Sequence, residues 1–175
     1  MIRRQLLWAA AAIVVALSGS AQAAKPLPAQ LQPVGYGLVL TAKAKGVQIY
    51  RSVADTDGHF KWMFEAPLAQ LTDAHGKLAL YHYAGPSWEA PDGRKIARDT
   101  ATPVISVPAP HAATDVPWLL AKVTADPAPG SLASVGFVQR LETHGGQAPL
   151  APPVRADTRV GVPYTAIYKF FAKTP

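Results

Sequence analysis

The segment GVQIYRSVADTDGHFKWMFE, residues 46–65, decides the fold class. Successive side chains of an extended strand point to opposite sides, so Val47, Ile49, Arg51 and Val53 share one face and Gln48, Tyr50 and Ser52 the other. Asp55-Thr56-Asp57-Gly58 then turns the chain, and the alternation resumes. Phe60, Trp62 and Phe64 point one way, while His59, Lys61, Met63 and Glu65 point the other. An Asp-Gly pair between two alternating runs is a hairpin signal. The segment reads as two antiparallel strands, the second with an aromatic inner face.

The period of two recurs outward from this hairpin. Gly35–Ala42 is an apolar run upstream. Downstream, Leu68–Leu71 reads as a single helical turn or an irregular link before a turn at Asp73–Gly76. Lys77–Tyr83 sets Leu78, Leu80 and His82 against Ala79, Tyr81 and Tyr83. Gly85-Pro86 interrupts, Ser87–Glu89 continues as a short strand, and Asp92-Gly93 turns into Lys95–Thr100, a polar edge strand. Val104–Pro117 is proline-rich and reads as a surface loop. Trp118–Thr124 is apolar. In Leu132–Thr143, Val135, Phe137, Gln139 and Leu141 oppose Val138, Arg140 and Glu142. In Val162–Ala172, Tyr164, Ala166, Tyr168 and Phe170 share a face. Turn signals roughly every 8–12 residues and no sustained helical period predict an all-β fold. The expected architecture is an antiparallel sandwich or barrel of about eight or more short strands with Pro-rich loops.

The N-terminus has a different pattern. Arg3 and Arg4 precede the apolar run Leu6–Leu17, a polar break at Ser18–Ser20 and the small-residue site Ala21-Gln22-Ala23. This is a signal peptide, residues 1–23, with cleavage expected after Ala23. Arg3-Arg4-Gln5-Leu6-Leu7 fits both the general and the twin-arginine export routes. Residues 24–34 read as an extended lead-in and 35–175 as a single β domain, exported to the periplasm or secreted. The net charge falls from +6 to +4 without Arg3 and Arg4, spread without a basic run. That distribution argues against a nucleic-acid partner, and no later segment is apolar enough to span a bilayer. With no cysteine, disulfides, thiolate metal sites and cysteine nucleophiles are excluded.

The side chains able to do chemistry concentrate in LYHYAGPSWEAPDGR, residues 80–94. His82 reads as a general base or ligand contact, or as a core histidine beside Leu78 and Leu80. Trp88 reads as a stacking platform or as core, with Trp62 and Trp118. Tyr83 lies beside His82. Glu89 and Asp92 read as a carboxylate pair or as turn-capping groups. Arg140 is the candidate clamp for a carboxylate or phosphate, with the backbone of Gly145-Gly146 close by, or else a partner of Glu142. No H-x-H, HExxH or G-x-S-x-G motif is present, and the five histidines are scattered, so neither metal nor cofactor is expected.

Five blocks occur in an order that resembles the DUF3455 family of uncharacterised secreted proteins of bacteria and fungi. They are GVQIYR (46–51), HYAGPSWEAPDG (82–93), VPWLLAKV (116–123), GFVQRLETHGGQAP (136–149) and VPYTAIYKFF (162–171). The resemblance implies a cysteine directly after Gln48-Ile49-Tyr50 and another between the fourth block and the last. This chain has Arg51 and the Pro152-Pro153-Val154 segment there, so the implied disulfide is lost as a pair. No G-x-G-x-x-G follows a strand, which argues against dinucleotide binding.

Three functions remain open on these residues. The first is a non-enzymatic module binding a small molecule, glycan or envelope component through Trp88, His82, Tyr83 and Arg140. The second is a hydrolase using His82 and Glu89 as acid and base, which requires the two to converge. The third is a structural or interaction protein of the envelope in which HYAGPSW is a fold-defining corner.

Overall fold

Among the described residues, alternation produces nine antiparallel strands: β1 (Tyr36–Ala54), β2 (Phe60–Thr72), β3 (Leu78–Tyr83), β4 (Ser87–Glu89), β5 (Lys95–Arg98), β6 (Ile105–Val107), β7 (Trp118–Thr124), β8 (Val135–Gly145) and β9 (Arg159–Lys173). The computed structural model describes residues 26–124 and 127–174, so the expected signal peptide lies outside the described residues. The sheet order is β5-β4-β3-β2-β1-β9-β8-β7-β6, and β5 also pairs with β7. Eight strands thus close into a ring, with β6 on the remaining part of the β7 edge. The fold is a barrel rather than a sandwich. Among the described residues no helix is long and apolar enough to cross a membrane.

The hairpin turns follow from Asp and Gly. Asp55 Oδ1 accepts the backbone N–H groups of Asp57 and His59, and Asp73 Oδ1 those of His75 and Lys77. Asp92 Oδ1 accepts that of Arg94, so Asp92 caps a turn. Each turn ends at a glycine with positive φ, Gly58, Gly76 or Gly93.

Several expectations need correction. The Val104–Pro117 stretch is not all loop, since it carries β6. Leu68–Leu71 is not helical: β2 runs through it, pairing Leu68 with Val47 and Leu71 with Ala44. Gly35–Ala42 and Gly46–Val53 are not separate strands. β1 crosses Gly46, where a Cβ would lie 2.1 Å from the Leu68 carbonyl oxygen. Lys95–Arg98 is not an edge; it carries buried Ile96 and closes the ring against β7. The Phe60/Trp62/Phe64 face is only half-buried, with Phe64 45% exposed. These rings lie opposite Ala54, Ser52 and Tyr50, where β1 and β2 run past the barrel wall. There Trp62 Nε1 donates to the Ala151 carbonyl, and a loop rather than a strand covers the face.

The interior is filled at one end by Leu71, Leu80, Ile96, Val123, Val135, Val138 and Phe170. Burying such side chains stabilises the fold by about 1.5–3 kcal/mol each. A second cluster lies outside the ring. Trp118, Leu120 and Leu141, on the outer faces of β7 and β8, are covered by Ala109 and by Leu31 from the lead-in. The lead-in therefore contains a turn of 3-10 helix, Ala29–Leu31, held by Gln139 Nε2 donating to the Leu31 carbonyl. Trp118 belongs to this cluster and not, as expected, to one wall with Trp88.

Arg51 pairs with Asp157 at 3.2 Å, on the exposed side of β1. The backbones of Ser52 and Asp157–Thr158 also exchange hydrogen bonds. The resemblance implies a covalent tie between this strand and the loop before β9; here an ion pair and backbone bonds join the same segments.

Gly46→Ala should lower the unfolding free energy by about 1–3 kcal/mol, since the new methyl group meets backbone that cannot move aside. Urea denaturation of the two proteins measures the difference.

Candidate functional site

The end of the barrel opposite the aliphatic plug is not filled. Strand β1 sends Gln48 and Tyr50 inward there, so the face that enters the barrel is the polar one rather than that of Val47 and Ile49. With Phe64, His82, Trp88, Arg98, Arg140 and Tyr168 they line a cavity of about 320 Å³. This is within the range of small-molecule sites. No Asp or Glu is among its lining residues.

Its floor is an aromatic pair. The hairpin through Ala84-Gly85-Pro86 places His82 directly opposite Trp88. Their rings stack with centroids 4.5 Å apart and planes 8° from parallel, and Tyr168 meets both edge-on. Both side chains are almost wholly buried, His82 at 3% and Trp88 at 2% exposure. His82 Nδ1 lies 2.8 Å from the Ser87 carbonyl oxygen, which can only accept. Nδ1 therefore carries the proton and Nε2 is an acceptor. Burial pushes the His82 pKa down to about 3, opposed by the Ser87 bond and aided by the positive field of Arg140. The ring is neutral at physiological pH.

Arg140 comes from β8 on the same side as Val138, pointing away from Phe137 and Leu141 as expected. It is 9% exposed, and its Nε and Nη2 both donate to the Pro117 carbonyl, at 3.2 and 2.9 Å. It does not pair with Glu142: a bulge between Leu141 and His144 gives Glu142 φ 48 and turns it to solvent. Burial pushes the phenols of Tyr50 and Tyr164 up, and Arg140 partly counters this in each. Tyr50 donates to the Gly146 carbonyl, which fixes its ring in the wall. The Gly145-Gly146 backbone closes on Pro163, Tyr164 and Gln48 instead of facing the cavity. Thr143 and Asp115 stitch this segment to the loop before β7.

The expected site residues divide. His82, Trp88 and Arg140 converge on the cavity. Tyr83 and Glu89 lie on the outer face, where the Tyr83 hydroxyl hydrogen-bonds Glu89 and Lys95 sits over the Tyr83 ring. That bond pushes the Tyr83 phenol up. Alternation therefore puts His82 and Glu89 on opposite sides of the sheet, and the hydrolase reading loses its acid/base pair. Tyr83 likewise drops out of a common site with Trp88 and His82. Among the described residues no three His, Asp or Glu side chains converge to hold a metal ion. Sequence reasoning missed Gln48, Tyr50, Phe64, Arg98 and Tyr168. The alternation of the first and last strands placed Tyr50 and Tyr168 on definite faces, but nothing local marked those faces as a cavity wall.

A family model described as a protein of unknown function (DUF3455) matches residues 33–172. No curated protein and no solved structure matches the chain.

The buried neutral His82 couples stability to pH. Its folded pKa of about 3 lies below the unfolded value near 6.5, so its contribution is complete above the unfolded value. As pH falls, the unfolded chain takes up a proton that the native state refuses. Stability should fall by up to about 1.4 kcal/mol per pH unit between pH 6.5 and 5, above the range of carboxylate titration. Urea midpoints across this range should decline in wild type and stay flatter in His82→Phe, which keeps a ring against Trp88.

Proposed function

We propose that this chain, which belongs to the DUF3455 family, is an exported β-barrel that binds a small molecule in the open end of its interior. The observation that carries the reading is the cavity of about 320 Å³ floored by the His82–Trp88 stack and flanked by Arg140. An interior that served packing alone would be filled at both ends, since protein cores are close-packed. Here one end is filled with aliphatic side chains, while the other has aromatic walls and a few polar groups. That mixture orients ligands: apolar surface supplies affinity, and convergent donors and acceptors supply selectivity. The neutral His82 contributes an acceptor at Nε2, and the stacked rings offer a flat surface. No serine, threonine, cysteine, lysine or carboxylate is among the lining residues, which favours binding over hydrolysis.

Export rests on the residues of the N-terminal segment alone. A positive start, an apolar stretch and Ala21-Gln22-Ala23 support periplasmic or secreted placement. Mass spectrometry of the exported protein should find a mature chain beginning at Ala24.

The binding reading is tested by the thermal midpoint of the 24–175 protein against glycans, lipids and organic acids. A ligand at a hundred times its Kd stabilises by about 2.7 kcal/mol, easily seen as a shift. Phe64→Ala, at a half-exposed wall position, should leave the fold intact and reduce that shift. Trp88→Ala should cost about 3–5 kcal/mol of stability, because the ring is wall and core at once. If no compound shifts wild type, HYAGPSW is a structural corner and the binding reading fails.

A further inference from the structure

We propose that the cavity selects a small carboxylate with an apolar body, its negative charge received by Arg140. The inference deepens the binding reading above and rests on it. It stands on a charge imbalance inside the barrel. Arg140 is always protonated, and only a neutral carbonyl, that of Pro117, receives its hydrogen bonds. A buried cation without an anion is costly, and proteins ordinarily pair it with a carboxylate. Among the described residues no acidic side chain forms an ion pair with Arg140.

The neighbouring groups repeat the imbalance. Arg98, at the end of β5, also lines the cavity, and its Nε is buried with no acceptor. Trp88 Nε1 is likewise a buried donor without a partner. Two cations and an unused indole N–H therefore surround a space that contains no acid. A carboxylate brings two oxygens with several lone pairs and suits the guanidinium fork. The rest of the wall limits the ligand's body. Phe64, Tyr168 and the stacked rings favour an aryl or short alkyl group. The volume, worth roughly ten waters of liquid, favours a compact ligand over long chains and oligosaccharides.

The test is isothermal titration of the 24–175 protein with benzoate, phenylacetate, cinnamate and octanoate, each beside its primary amide. The amides have nearly the same shape and lack only the charge. The carboxylates should bind roughly ten- to a hundredfold more tightly, as expected for hydrogen bonds to a charged group. In Arg140→Met the preference should vanish, while the ligand-free protein melts at the wild-type temperature or higher, because an uncompensated buried charge has been removed. Amides that bind as well as acids in wild type overturn the assignment and leave a neutral-ligand cavity. A response to glycans with none to either series also overturns it. If nothing binds at all, the binding reading fails with it. The comparison of acid with amide is made in wild type, so it does not depend on the variant folding.

Discussion

Two residue pairs, Ala97 with Thr124 and Arg98 with Val123, close the sheet on itself, and the rest of the structure depends on that seam. Without it β5 and β7 would each present unpaired backbone, and the interior would be one face of an open, twisted sheet. With it, an eight-stranded ring forms whose width suits a layer of side chains or one small ligand. The seam is short because the edge of β7 is divided. Its C-terminal end pairs with β5 and its N-terminal end with β6. Arg98, Val104 and Leu119 stand at the fork between those partners, and all three line the cavity. The division of one strand edge thus helps determine where the interior stays open.

The His82–Trp88 pair links the two ends of the barrel. Trp88 packs edge-on to Phe170 in the aliphatic half and stacks on His82 at the cavity floor. A single side chain therefore serves as core on one side and cavity wall on the other. Arg140 has a different energetic character. Packing would be served as well by an apolar residue, which would avoid the cost of a buried charge. Its place beside a neutral histidine and two phenols raised by burial makes this end of the barrel electrostatically unlike the other. Departures from locally optimal choices of this kind cluster at functional positions.

Most of the strands were legible in the residues. Alternation in Phe60–Glu65, Lys77–Tyr83 and Val162–Ala172 marked them, and the Asp and Gly of the hairpins marked their ends. Leu68–Leu71 misled because Leu68 is an exposed leucine on the outer face: the segment alternates regularly, with Ala69 and Leu71 buried, and the bulges lie elsewhere, at Glu65 in β2 and Ala79 in β3. Lys95–Thr100 looked like a polar edge because Ile96 is its one large apolar side chain, and nothing local showed that Arg98, two residues on, also lines the interior. Of the site, His82, Trp88 and Arg140 could be singled out as chemically unusual. Tyr83 and Glu89 were separable from them, because neighbours in sequence lie on opposite faces of a strand and the alternation of Lys77–Tyr83 already set His82 against Tyr83.

By itself the sequence determined the all-β class, the hairpins, the absence of disulfides and the membership in a family, since each depends on local pattern or on residue identity. Only the tertiary structure decided that the sheet closes, that the polar face of β1 turns inward, and that Arg140 forms no ion pair with an acid among the described residues. Those properties depend on which distant residues meet: β5 with β7, Leu31 with Gln139, Arg51 with Asp157. Period-two alternation fixes the two faces of a strand but not which of them faces the interior.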